Sequence, residues 1–396
     1  MQDTETTLRH TITEILSRDF LLGFFSLFSF LAANHSFNPT LAIYLKRLGS
    51  NEREIGVLVG VLAITSVISR LFVGKVLLKY SEKFVMMSGA VLSTLAFIAL
   101  IVVRPFWPFF GIRVFQGIAF ACLDTATAAC IINVIPAAHR GQGIGYFMLA
   151  PSLAMAMAAP FGMFLVNQYG FTILFLTCAC LAICPFFTSW KINDREIVPS
   201  DIVTPVNKTF LFEKKIITPA LVTFMHSFTW GAIIAFFPIH AVQCGVTNPG
   251  IFFSANAVMI ITARIFCGRI LDAYRKEKII PMFIFVSMGA MTILAFSKTL
   301  TLFIFVGLLW GIGGAFLYPA SMAYALEYAG SSTGTAVGTY QAFMDLGMAL
   351  GPMTMGLIVP LTGYPVMFLC LAFVCLINLV YFQFCVRKRH HITSIV

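Results

Sequence analysis

The chain contains few charged residues. Asp, Glu, Lys and Arg together account for 11% of its 396 residues, whereas hydrophobic residues account for 59%. Because soluble domains carry about 25% charged residues, this composition excludes an ordinary soluble protein. We therefore expect an integral membrane protein whose partners include the lipid bilayer.

Residue arrangements that perform catalysis are missing as well. The chain has no CxxC pair, no paired His and Glu residues, and no Ser, His and Asp set at one depth. The sequence therefore predicts no enzyme, no cofactor and no metal site. The net charge is +10, but the basic residues are spread over turns without interleaved aromatic residues, so we expect no nucleic-acid partner.

Long apolar runs fill most of the chain. A helix needs about 20 apolar residues to cross a membrane, and on this basis the sequence predicts twelve spans. They run near 20–45, 55–75, 84–103, 106–134, 142–166, 171–190, 217–242, 251–271, 279–297, 300–325, 334–359 and 365–386.

The spans divide into two predicted bundles of six helices, residues 20–190 and 217–386. A polar linker at 191–216 joins them, and short segments, 1–19 and 387–396, lie at the two ends. With the N-terminus in the cytoplasm, 18 Lys and Arg residues fall on the cytoplasmic side and five on the other. The positive-inside rule therefore predicts that both termini are cytoplasmic.

The two predicted bundles share an internal repeat. Residues 69–80 match residues 263–274 at a constant offset of 194 positions. Two glycine pairs have the same offset, Gly56 with Gly250 and Gly117 with Gly311. Parallel repeats of this kind are typical of transporters, in which the binding site forms near mid-membrane between the halves.

The turn after the second span carries a motif of a known family. Residues 74–83 resemble the loop motif of the major facilitator superfamily, in which a Gly is followed four residues later by an Asp and then by basic residues. Leu78 occupies the Asp position here, whereas the second copy keeps the acid as Asp272. In the family this loop latches the two halves on the cytoplasmic side. The resemblance implies this gating role for Arg70, Gly74, Arg264, Gly268, Asp272 and Arg275.

Further segments are similar to the same family. Residues 113–117 resemble the fourth-helix motif that is tied to proton coupling through its Arg. Residues 159–162 and 347–352 resemble the Gly-Pro motif of drug and metabolite antiporters, although Ala159 replaces a Gly. Residues 135–147 resemble a subgroup of bacterial efflux proteins that includes metallophore exporters.

The resemblance covers residues 20–386 and implies an all-α integral membrane fold with twelve transmembrane helices in two pseudo-symmetric six-helix bundles. It implies a monomer in the cell (inner) membrane that exports a small, amphipathic molecule by proton antiport, with alternating access between its halves. A proton-coupled symporter that works inward on the same fold is one alternative. A membrane sensor or scaffold that moves no solute is another.

Asp124 lies in the middle of the apolar run 106–134. A carboxylate at the centre of a membrane costs about 2.5–3.5 kcal/mol, so it needs a cavity or a polar partner. Helix geometry places Asp124 on the same face as Arg113, about 16 Å away along the axis. One interpretation makes Asp124 a proton carrier in a water-filled path, and the other makes it a structural group that binds Ser or Thr hydroxyls or Arg70.

We expect proton coupling to involve Arg113, Asp124 and Asp345, although the glycines near Asp345 also suit close helix contact. The family fold implies that spans one, four, seven and ten line a central cavity. Polar and aromatic residues on these spans are therefore the candidates for substrate binding: Asn34, His35, Asn38, Gln116, His226, Trp230, Trp310 and Tyr318. His35 and His226 are favoured, because imidazole titrates near neutral pH and can also coordinate a metal chelate.

Overall fold

The computed structural model describes residues 16–103, 106–136, 139–193, 214–326 and 333–386. These residues are mostly helical and include no strand. Ten of the helices in these ranges are long and apolar enough to cross a membrane, and one of the ten is a pair of spans joined in sequence. The eighth predicted span carries a shorter apolar stretch, Gly250–Arg264. The predicted all-α fold with twelve spans is confirmed.

The first half of the chain forms six spans. They are α1 (Arg18–Arg47), α2 (Glu52–Val76), α3 (Glu82–Val102), α4 (Phe106–Val134), α5 and α6 (Phe171–Trp190). The span α5 consists of two helical segments, Arg140–Phe147 and Leu149–Tyr169, which meet at Met148.

The second half also forms six spans. They are α7 (Lys214–Gln243), α8 (Gly250–Ala273), α9 (Lys276–Phe296), α10 (Leu300–Leu326), α11 and α12. The last two are parts of one helix, Thr333–Tyr381, which Gly363 divides into α11 (333–362) and α12 (364–381). The predicted linker at 191–216 and the end segments stay a prediction, because most of their residues lie outside the described ranges.

Local sequence explains where several helices begin and turn. Asn51 accepts a hydrogen bond from the backbone N–H of Glu54 at 2.9 Å, and the Glu54 carboxylate accepts one from the Asn51 N–H at 3.1 Å. This capping box fixes the start of α2. Gly170, between α5 and α6, and Gly363, between α11 and α12, have φ values of 82° and 80°. Glycine adopts this left-handed backbone without steric cost, so both sharp turns fall at a glycine.

The bundle has two ends, which we name after the parts of the chain that lie there. The terminal end carries the start of α1 and the end of α12, and the distal end carries the turn between α1 and α2. At the terminal end Arg18 donates a hydrogen bond to the carbonyl of Lys191 at 3.4 Å, which joins the start of α1 to the end of α6.

The repeat seen in the sequence is also present in the packing. Gly117 of α4 lies against the carbonyl of Leu62 in α2, and Gly311 of α10 lies against the carbonyl of Asn256 in α8. Both members of the second contact follow those of the first by 194 positions. This helix contact is therefore repeated in the two halves, as the sequence predicts.

The hydrophobic core differs between the two ends. One large cluster of buried side chains includes residues of both halves near the distal end, such as Phe37, Phe97, Phe237 and Phe303. Toward the terminal end, each half instead has its own cluster, one around Leu27 and Met86 and another around Ile280 and Tyr324. The halves thus share one apolar core at the distal end, whereas toward the terminal end each half has a core of its own.

Two equivalent glycines complete the closure of the distal end. Gly56 of α2 touches the backbone of Pro352 in α11, and Gly250 of α8 touches the backbone of Ala159 and Pro160 in α5. The absence of a side chain lets these backbones meet. Each Gly-Pro motif, in α5 and in α11, therefore packs against the repeated glycine of the other half.

Candidate functional site

Three charged side chains from both halves meet inside the bundle. The Arg70 Nη2 atom of α2 lies 2.9 Å from Oδ2 of Asp124 in α4, and the Arg70 Nε atom lies 3.6 Å from Oδ2 of Asp345 in α11. The side chains of Arg70, Asp124 and Asp345 keep 31%, 30% and 18% of their surface accessible. We call these three residues the charged triad; it has one positive and two negative groups.

The charged triad lies within the helices and not in a loop. Asp124 and Asp345 are about 15 Å and about 18 Å along their helices from the terminal end. Ionisable residues at such depth are tolerated when they pair and face a gap between helices. The structure thus provides Arg70 as the partner of Asp124, one of the two partners considered from the sequence, and adds Asp345 of the opposite half.

Arg264 is the counterpart of Arg70 in the repeat and also reaches across the interface. Its Nη1 atom donates a hydrogen bond to the carbonyl of Met148 at 2.8 Å. Met148 is the residue at which the two segments of α5 meet. The resemblance implied that both arginines anchor a loop latch; the structure places them inside helices, each against the opposite half.

The other predicted gating residues do not join the charged triad. Gly74 is exposed, and a Cβ atom at this position would meet no other group within 4 Å. Arg275 pairs with Glu277 at 3.2 Å, within the same half and at an exposed position. Gly268 and Asp272 belong to α8, but their side chains lie outside the described residues.

Arg113 lies in a closed contact between α4 and its neighbours. Its side chain is 2% exposed, its Nε donates to the carbonyl of Leu58 at 2.7 Å, and its Nη1 donates to Oε1 of Gln116 at 2.9 Å. The guanidinium also lies 5.8 Å from the ring centre of Phe37 in α1. Arg113 and Gln116 therefore tie α4 to α2 and α1, and Arg113 shares no partner with Asp124.

A small cavity lies between the halves, near the distal closure. About 290 Å³ of space, part of it open to the surroundings, lies among its lining residues. Its lining residues come from both halves and are His35, Asn38, Pro39, Met155, Ala159, Trp230, Ile234 and Phe253. Three of the predicted binding residues, His35, Asn38 and Trp230, are among them. The third candidate on α1, Asn34, instead donates to the carbonyl of Phe30 in its own helix at 2.9 Å.

Stacked aromatic rings continue from this cavity toward the terminal end. Trp230 and Trp310 lie nearly parallel with ring centres 6.1 Å apart, and His226 stacks on Trp310 at 4.6 Å with an angle of 3° between the planes. Tyr318 meets the edge of His226 at 5.1 Å. The predicted residues of α7 and α10 therefore form one aromatic column, with Trp230 at its cavity end.

Hydroxyl groups extend the column toward the charged triad. The Tyr318 hydroxyl lies 3.1 Å from Oγ of Ser227, and the Tyr318 carbonyl accepts a hydrogen bond from the Tyr340 hydroxyl at 3.1 Å. The Tyr340 hydroxyl of α11 lies 2.7 Å from the hydroxyls of both Thr223 and Ser321. Sequence reasoning missed these four hydroxyl residues, Thr223, Ser227, Ser321 and Tyr340. On α7 a signal was present, because residues 223, 226, 227 and 230 have the spacing of one helical face.

Comparison with protein families agrees with this architecture. The model of the Major Facilitator Superfamily matches residues 22–210 and 219–394. The chain belongs to the major facilitator superfamily. It is therefore a multi-pass membrane protein of a transporter family.

Individual proteins support the same assignment. The chain is 23% identical over 355 residues to the staphylopine export protein of Staphylococcus aureus, and the match covers 86% of this chain and 89% of that protein. It is also 23% identical over 332 residues to the quinolone resistance protein NorA of the same species, with 80% and 84% covered. The crystal structure of the nucleoside transporter NupG superposes with a TM-score of 0.78 at 14% identity, covering 93% of this chain and 98% of that one.

Proposed function

We propose that this protein is a secondary transporter that exports a small, amphipathic molecule in exchange for protons. We place it in the cell (inner) membrane as a monomer, with both termini in the cytoplasm, so that the terminal end faces inward. The distribution of basic residues supports this orientation. The names of two relatives, which concern staphylopine export and quinolone resistance, support the direction of transport.

The single observation that carries the proposal is the double ion pair of Arg70. Its contact with Asp124 stays within the first half, whereas its contact with Asp345 joins the two halves. Protonation of Asp345 removes the negative charge that attracts Arg70 across the interface, while Asp124 continues to balance the buried cation. Loading a proton therefore loosens the halves at the terminal end without leaving an unpaired charge.

This arrangement fits a cycle of proton antiport. A proton that enters from outside weakens the contact between Arg70 and Asp345, and the terminal end opens to the cytoplasm. The proton then leaves, substrate enters the space between the halves, and the ion pair forms again. The separate cores at the terminal end and the shared core at the distal end support an opening on that side. Each proton supplies about 2.3 kcal/mol per 100 mV of membrane potential.

Substrate binding and proton binding are close enough to influence each other. The cavity residues His35, Asn38 and Trp230 contact the substrate in this proposal. Trp230 leads through Trp310 and His226 to Tyr318, whose carbonyl accepts a hydrogen bond from the hydroxyl of Tyr340, five residues before Asp345 in α11. The column of α7 and α10 thus connects the cavity to the charged triad.

Everted membrane vesicles provide the test. Respiration acidifies the vesicle lumen, a pH-sensitive dye reports this acidity, and norfloxacin or nicotinamide is then added as a test solute. Alkalinisation of the lumen that requires the protein supports antiport, and further acidification would show symport. Asp345→Asn and Asp124→Asn should each abolish the signal.

Glu277→Gln is the matched control, because Glu277 is also an acid in an ion pair with an arginine but lies within one half. This variant should keep the wild-type response. Solute flux in purified protein without any proton movement would reject proton coupling. Binding of solutes without flux would indicate the sensor or scaffold instead.

A further inference from the structure

We propose that the cavity between the halves is a site for an uncharged, flat, nitrogen-containing aromatic ring. The ring stacks on Trp230 and forms hydrogen bonds with His35 and Asn38. The inference rests on the proposed function in one respect, since it takes this cavity as the place where the exported molecule binds.

The lining excludes a charged group. None of the eight lining residues is Asp, Glu, Lys or Arg. A charge that leaves water for such a site without a partner is strongly unfavourable. Asp124 and Asp345, the two acids of the charged triad, are already paired with Arg70. A cation or an anion would therefore bind here much more weakly than a neutral ring of the same shape.

The wall of the cavity favours a flat group. Trp230 does not stand alone, because Trp310 and His226 lie beside it in nearly parallel planes and the ring of Phe253 lies edge-to-face with it at 5.9 Å between centres. These contacts restrain the indole, which lines the cavity. Aromatic rings stack on a face of this kind with more gain than saturated rings of the same size.

The opposite wall supplies polar groups in need of partners. His35 and Asn38 of α1 are both half-buried, and neither forms a hydrogen bond with another residue in the described part of the chain. An amide offers donors and an acceptor, and a neutral imidazole offers one of each. Ring nitrogens and carboxamide groups complement this set, whereas a plain hydrocarbon would leave the polar groups unsatisfied.

The cavity is small, since only eight residues line it. Larger substrates would have to extend toward the terminal end, where each half has its own core. The cavity therefore recognises a ring and not a whole large molecule.

Nicotinamide and three analogues test this proposal. Nicotinate adds a negative charge, 1-methylnicotinamide adds a positive charge, and cyclohexanecarboxamide keeps the amide but loses the aromatic ring. Binding is measured by tryptophan fluorescence in purified full-length protein with Trp107→Phe and Trp190→Phe, so that Trp230 and Trp310 report. Nicotinamide should bind at least about tenfold more tightly than each analogue.

Two variants locate the site. Trp230→Leu should weaken nicotinamide binding about tenfold, measured by calorimetry. Asn38→Asp should reverse the preference for charge, so that 1-methylnicotinamide binds more tightly than nicotinamide. This second variant gains an interaction, so a loss of folding cannot produce the expected result.

Equal binding of the charged analogues, equal binding of cyclohexanecarboxamide, or no binding of nicotinamide would overturn the inference. An unchanged preference in a folded Asn38→Asp variant would overturn it too. None of these results concerns proton exchange, because the binding assay contains no pH gradient. Failure of the proposed export function would appear only in the vesicle assay.

Discussion

Arg70 and Arg264 occupy equivalent positions in the two halves but bind chemically different partners across the interface. Arg70 lies 3.6 Å from the carboxylate of Asp345, and Arg264 donates to the backbone carbonyl of Met148 at 2.8 Å. A carboxylate can take up a proton, whereas a peptide carbonyl cannot at any physiological pH. One of these two contacts therefore responds to protons and the other does not.

This difference predicts different pH behaviour for two matched variants. Arg70→Gln should change the pH dependence of transport, because the contact that responds to protons is lost. Arg264→Gln should lower the rate by a similar factor at every pH. The measurement is the pH profile of the everted-vesicle response, with whichever solute gives the wild-type signal. A parallel shift of the profile in both variants would contradict this assignment.

The close packing of α2 against α11 at the distal end depends on Gly56. A Cβ atom at this position would overlap the carbonyl of Pro352, so Gly56→Ala should push α2 away from α11. Overpacking of this kind costs about 1–3 kcal/mol, and we expect a lower unfolding temperature and slower transport. The matched control is Gly289→Ala in α9, where the added atom meets no neighbour. Ala favours helix over Gly by about 0.8–1 kcal/mol, so the control should be at least as stable as the wild type. Equal stability of the two variants would contradict the close contact between Gly56 and Pro352.

Arg113 stabilises the first half. Its removal in Arg113→Ala leaves Gln116 without its partner and removes a donor from the carbonyl of Leu58. Lost buried hydrogen bonds cost about 1–3 kcal/mol, so the unfolding temperature in detergent should fall by several degrees. Asp124→Asn should keep its stability, because Arg70 still has Asp345 as a partner. A stable Arg113→Ala protein that has lost only proton coupling would instead support the coupling role predicted from the sequence.

The hydroxyl network holds α7, α10 and α11 together. Tyr340→Phe removes the hydroxyl that lies 2.7 Å from both Thr223 and Ser321 and leaves these buried groups with fewer partners. The expected loss is about 1–3 kcal/mol of unfolding free energy. Tyr169→Phe is the control, since Tyr169 is 63% exposed. Identical unfolding curves for the two variants would show that the network contributes no stability.

The sequence was sufficient for features that depend on local pattern. Apolar runs of about 20 residues placed the spans, and the repeat of Gly117 as Gly311 indicated equal packing in the two halves. The family resemblance supplied the fold and four cavity-lining spans, of which spans one and seven carry the predicted residues that line the cavity. His35, Asn38 and Trp230 were found in this way, since a polar residue on a cavity-lining helix is visible in the sequence alone.

Contacts between helices that are far apart in the sequence could not be predicted from it. Asp124 was recognised as an acid that needs a partner, but nothing in the order of residues indicated that Arg70 also reaches Asp345 of the other half. That contact depends on how α2 packs against α11. The partner of Arg264 is a backbone carbonyl at a helix break, which no side-chain pattern can reveal.

The central claim is that protonation of Asp345 releases the terminal end, and a distance measurement tests it without any substrate. Spin labels replace Tyr80 and Tyr274, equivalent exposed residues of the two halves, in a chain whose ten native Cys residues are substituted. Acidification from about pH 8 to about pH 5, which spans the range in which perturbed carboxylates titrate, should increase the population of long distances. Asp345→Asn should show the long distances at both pH values, and Arg264→Gln should still respond to pH. A wild-type distribution that does not change with pH, or an Asp345→Asn variant that responds as the wild type does, would contradict the account.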